Sequence, residues 1–131
     1  MIFSRRHFLS CLIVTLLAAG VPRRAGAQAA SFLSVIDDLP LMPGLTEDLE
    51  AAMTFDSAGG RIAEARAQGT LSAKAVRSFY HETLPQLGWR VRAQGGYMRG
   101  TETLRLEIEQ QPEGQQLKRV SVRFVLRPSS S

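Results

Sequence analysis

The apolar positions of this chain change period along its length, and each period predicts a different element. From Phe8 to Val21 runs an apolar stretch of 14 residues, interrupted by Ser10 and Thr15. Between Ala73 and Leu87, the residues Ala73, Val76, Phe79, Tyr80, Thr83, Leu84 and Leu87 fall within one arc of about 140° on a helical wheel. Lys74, Arg77, Ser78, His81 and Glu82 lie outside that arc. The pattern predicts an amphipathic helix from Ala73 to about Leu87, capped by Ser72 and ended at Gly88. Pro85 removes a bond to the His81 carbonyl, so the last turn should kink or end early.

After Gly88 the period becomes two. Trp89, Val91 and Ala93 alternate with Arg90 and Arg92; Leu104, Leu106 and Ile108 alternate with Arg105, Glu107 and Glu109; Val120, Val122, Phe124 and Leu126 complete the series. Gly100-Thr101 fits a two-residue hairpin loop that places Arg99 opposite Glu102. Tyr97 then shares a face with Leu104, and a three-residue loop at Gln94–Gly96 brings Ala93, Val91 and Trp89 to the same face. Gln111-Pro112-Glu113-Gly114 reads as the next turn.

Upstream, Met53 to Asp56 and Arg61 to Gln68 read as two strands around the turn Ser57-Ala58-Gly59-Gly60. The second is rich in helix formers, but glycines bracket it and alternation puts Ala63, Ala65 and Ala67 on one face. A row of small side chains lets a covering layer approach closely. Ser31 to Asp38 predicts a short helix stopped by Pro40 and Pro43, and Thr46 is placed to cap another over Glu47 to Ala52. Together these elements predict an α+β fold of two layers, one main helix packed on an antiparallel meander of four to five strands. The chain divides into a leader at 1–27, an entry segment with a proline-rich apolar loop at 28–52, the α+β domain at 53–127 and a polar tail at 128–131.

The leader has a charged head, the apolar run, and the small-x-small tripeptide Ala25-Gly26-Ala27, the order a cleavable export signal needs. Cleavage after Ala27 would make Gln28 the new N-terminus. Ser4, Arg5, Arg6, Phe8 and Leu9 resemble the twin-arginine (Tat) signal pattern, with Ser10 departing where Lys is common. That resemblance implies the Tat translocase and a signal peptidase as partners during export, and a periplasmic location. The apolar run falls short of the roughly 20 residues of a spanning helix, so no stable membrane anchor is expected.

Removing the leader changes the charge. The whole chain has 16 basic and 12 acidic residues, a formal net charge of +4. The leader holds four of those arginines and no acid, so twelve of each sign remain and the net charge is zero. A net basic field for nucleic acid disappears with the leader, and no nucleic-acid partner is expected. The lone Cys11 leaves too, which excludes a disulfide, a thiolate nucleophile and an iron–sulfur site downstream.

Candidate chemistry in the rest is sparse. His81 is the single histidine there, on the polar helix face, with no second histidine to complete a zinc site. Ser57 lacks a nucleophile elbow, and no Lys-Ser/Thr follows Gly59-Gly60 to make a phosphate loop. Glu107 and Glu109 share a strand face with Arg105, and Arg119 and Arg123 stand opposite, the pattern of cross-strand ion pairs. No catalytic, metal-binding or cofactor-binding residue emerges. The loop Leu39-Pro40-Leu41-Met42-Pro43-Gly44-Leu45 holds Leu41 and Met42 extended, which suits either a lid on the core or docking into a partner. With Tyr80 and Trp89, these two residues are the candidate contacts for a periplasmic protein partner.

The same loop, with the run Val76-Arg77-Ser78-Phe79-Tyr80-His81-Glu82-Thr83-Leu84-Pro85-Gln86-Leu87-Gly88-Trp89, resembles a group of small exported proteobacterial proteins of unknown function. The resemblance implies fold and location and transfers no catalytic residue. The expectation is a non-enzymatic accessory or binding module. The alternatives are a small carboxylate-dependent hydrolase and an apolar-ligand carrier with its pocket between helix and sheet.

Overall fold

The computed structural model describes residues 30–111 and 119–130. The leader, its cleavage site and the turn at Pro112–Gly114 lie outside the described residues. Among the described residues, seven strands and one α-helix follow in chain order: β1 (Leu45–Glu47), β2 (Met53–Ser57), β3 (Gly60–Gly69), α1 (Ala73–Gln86), β4 (Arg90–Arg92), β5 (Gly96–Arg99), β6 (Glu102–Gln110) and β7 (Val120–Pro128). They form one antiparallel sheet in the order β1-β3-β7-β6-β5-β4, with β2 also paired to β3. The α+β class stands. The sheet is wider than the four to five strands expected, because the β2–β3 hairpin joins the last strand and Leu45–Glu47 adds a further edge.

Alternation decides the layers. Ala63, Ala65 and Ala67 of β3, Val120, Val122, Phe124 and Leu126 of β7, and Leu104 of β6 are buried on one face. The helix α1 presses Val76, Tyr80 and Leu84 onto that face, and the rings of Tyr80 and Phe124 meet edge to face at 5.3 Å. Each such fully buried side chain contributes about 1.5–3 kcal/mol. Ser72 caps α1 by accepting from the Ala75 N–H at 3.1 Å. Gly88, at φ 86°, turns the chain out of the helix into β4. Gly69 sits where β3 passes β1 so closely that a Cβ would collide with the Gly44 carbonyl oxygen.

The meander keeps the expected hairpin: Arg99 faces Glu102, and Tyr97 faces Leu104. The preceding loop has three residues but lies one position earlier, at Ala93–Gly95, because Gln94 and Gly95 take the positive φ values of the reversal. Val91 therefore pairs with Tyr97.

Both helices expected in the entry segment are corrected. Ser31 to Asp38 instead folds back on itself: Phe32 bridges Pro40, Asp38 takes φ 64°, and the Leu33 N–H donates to the Leu39 carbonyl at 3.0 Å. The reversal buries Leu33, Ile36 and Leu39 together, which outweighs helical propensity in a segment closed by proline. Thr46 lies in β1, and the Glu50 N–H bonds the Asp48 carboxylate in a local turn. At the other terminus β7 continues to Pro128, and the Ser129 N–H donates to the Thr101 carbonyl at 2.7 Å.

A groove between the helix and the outer strands

One helix about 10 Å across spans two or three strands at about 4.8 Å spacing, and this sheet is wider than that. At the β1–β3 end the entry segment supplies what α1 does not cover. Leu33, Ile36 and Leu39 are buried there, and Leu41 and Met42 are half-buried against the core. The Tyr80 hydroxyl fastens this strap: it donates to the Pro40 carbonyl at 2.9 Å and accepts from the Met42 N–H at 3.2 Å. Burial pushes its pKa up to about 12.

At the β4–β6 end no segment among the described residues performs that task. A groove of about 550 Å³ opens between α1 and the sheet. Val91, Tyr97, Leu106 and Ile108 line it from the strands and Tyr80 from the helix. Val91 points to the core face yet is 52% exposed, and Leu106 and Ile108 are only half-buried. Arg77 and His81 of α1 and Arg92 of β4 bring cationic and titratable groups to the same groove, beside one carboxylate, Glu82. An apolar floor with a few polar groups on its walls is the usual chemistry of a small-molecule site.

Of the candidate contacts read from the sequence, Tyr80 and Trp89 are buried, at 0% and 3% exposure. Trp89 lies under the Arg99 guanidinium, 4.4 Å from its ring centroid, and Arg99 also donates to the Leu87 carbonyl at 3.2 Å. Leu41 and Met42 pack against the core beside Tyr80. His81 is exposed, as its helix face implied, but lines the groove, which the wheel gave no sign of.

The carboxylates are gathered elsewhere, on the face of the sheet away from α1. Arg123 bridges Glu64 and Glu107, donating to them at 2.8 and 2.9 Å. The guanidinium beside Glu64 holds that carboxyl below the ordinary carboxylate range, so it stays ionised and ill-suited to donating a proton. Glu109 is exposed on the same face. Among the described residues, no cluster of three His, Cys, Asp or Glu side chains is placed to hold a metal, and no helix is long and apolar enough to cross a membrane.

Comparison with protein-family models, with curated proteins and with solved structures finds no match for the chain.

Proposed function

We propose that the chain is an exported, periplasmic binding module without catalysis of its own, and that the α1/β4–β6 groove takes a small ligand with an apolar body and an anionic end. The observation that carries this reading is the groove itself: about 550 Å³ of space floored by core-face residues that the described residues leave uncovered. Arg77, His81 and Arg92 would meet the anionic end, and Val91, Leu106 and Ile108 the apolar body. Export rests on the leader pattern around Arg5, Arg6, Phe8 and Leu9 and on the Ala25-Gly26-Ala27 site. The Tat translocase and signal peptidase are then transient partners.

Binding is tested with 1-anilinonaphthalene-8-sulfonate, an apolar anion that fluoresces when desolvated. The native protein should bind it saturably at one site, and Val91→Asp, at a half-exposed position, should abolish that signal without loss of folding. Unchanged binding by V91D would overturn the assignment. Export is tested by N-terminal sequencing of the protein recovered from cells: a chain beginning at Gln28 in the periplasm is expected, and an intact chain confined to the cytosol contradicts it.

A further inference from the structure

The sheet face opposite the groove has a charge pattern of its own, and its two halves differ. Toward β3, cations and carboxylates neutralise one another: Arg123 lies between Glu64 and Glu107, and Arg66 is 3.6 Å from Glu64. Toward β4 and β5 the arginines outnumber the acids. Arg105 is 65% exposed at its side chain and comes no nearer to Glu107 than 3.9 Å, a carboxylate already engaged by Arg123. Arg92 donates to the Met98 thioether, a weak acceptor that leaves its charge uncompensated. Arg127, exposed on β7, makes no ion pair with a described residue.

These three arginines line one depression of about 340 Å³ on that face, with the Arg123–Glu107 ion pair at its border. Register explains why it is open. Arg105 of β6 and Arg92 of β4 both stand opposite Gly96 of β5, so the position between them has no side chain. Gly96 is not demanded by the backbone: its φ of −98° and ψ of 161° are ordinary strand values. A Cβ there would meet the Ala93 and Leu104 carbonyl oxygens at 3.8 and 3.9 Å, ordinary contact. Any residue would fit the fold, yet glycine leaves a gap between guanidinium groups.

We propose that this depression binds a phosphate group, with Arg92, Arg105 and Arg127 as its ligands. With Arg123 beside them and Glu107 the one carboxylate in the lining, the arginines leave the depression net positive, which matches a multiply charged oxyanion better than a single carboxylate, and their planar forks suit its oxygens. The site is exposed, so affinity on the order of a millimolar is expected, weakening as salt rises. Arg92 borders the groove as well, whereas Arg105, Arg127 and Gly96 belong to this depression alone, so variants at those three positions separate the two sites.

The test is an amide and guanidinium NMR titration of the full chain with inorganic phosphate, and in parallel with glycerol 3-phosphate, against chloride at matched ionic strength. Saturable shifts at the Gly96 amide and at the three arginine side chains are expected with phosphate and not with chloride. Tighter binding of glycerol 3-phosphate would identify a phosphomonoester as the source; preference for inorganic phosphate would identify the free ion. The double variant Arg105→Gln with Arg127→Gln should weaken binding by about tenfold or more. Gly96→Val should do the same by filling the gap, with its thermal transition retained. Both variants should leave 1-anilinonaphthalene-8-sulfonate binding unchanged, since neither touches the groove. Absence of saturable shifts at Gly96, or equal phosphate affinity in R105Q/R127Q, would overturn the proposal.

Discussion

The two ends of the core face start from the same materials and finish differently. Both have apolar residues alternating along antiparallel strands, and both lie beside the same helix. At the β1–β3 end the chain supplies a strap, Leu33 to Leu45, that drops Ile36 and Leu39 to 1% exposure and is tied down by the Tyr80 hydroxyl. At the β4–β6 end the described residues supply nothing equivalent, and Val91 is half exposed. A sheet wider than its helix must be completed or left open. Among the described residues one side is completed and the other is left as a groove, so sealed apolar surface marks stability and the unsealed surface is where we propose that a ligand binds.

That contrast can be broken by mutation. The largest effect should come from Leu39→Ala at the sealed end, which empties a fully buried site and should cost about 2–4 kcal/mol by denaturant unfolding. A cost near zero would mean that the strap contributes nothing. Gly69→Ala should follow at about 1–3 kcal/mol, because its methyl meets the Gly44 carbonyl and the β1–β3 pairing must shift. Tyr80→Phe should cost about 1–2 kcal/mol, leaving the Pro40 carbonyl and Met42 N–H without their partner. Val91→Ala at the open end should fall within about 0.5 kcal/mol of the parent while weakening ligand binding.

The Tyr80 tether also sets a pH dependence. Its pKa rises from 10.0 to about 12 on folding, so the native state keeps a proton that the unfolded chain loses. The stabilisation is complete below pH 10.0 and disappears as pH climbs through about 12. Burial raises Tyr97 in the same direction. Y80F should therefore flatten most of the alkaline loss seen in melts across that window. At the acid end Glu64 behaves oppositely: its lowered pKa contributes stability above the ordinary value of 4.5, and that contribution fades as pH falls below it.

Much of this architecture was legible from residue patterns, and the exceptions are physical. The Ser72 cap, the Gly88 stop and the Arg99–Glu102 hairpin depend on neighbours in sequence, which local patterns encode. Thr46 and the acids after it imitate a helix start, but β3 offered a strand edge and the Asp48 carboxylate found a turn instead. Leu33, Ile36 and Leu39 recur every three residues, as a helix would, yet they meet through a reversal at Asp38. The groove was least legible. Alternation tells which face Val91 joins, and it carries no information about whether another segment will arrive to cover it. The Gly96 depression was equally hidden, because it needs the pairing of β4 to β6 across β5.

The most direct test follows the methyl groups of both ends in one NMR titration with 1-anilinonaphthalene-8-sulfonate. Saturable shifts at Val91, Leu106 and Ile108, with Leu33, Ile36 and Leu39 unmoved, are the predicted result. Shifts spread evenly over both ends, or none at the open one, would contradict the division between a sealed end and a binding end.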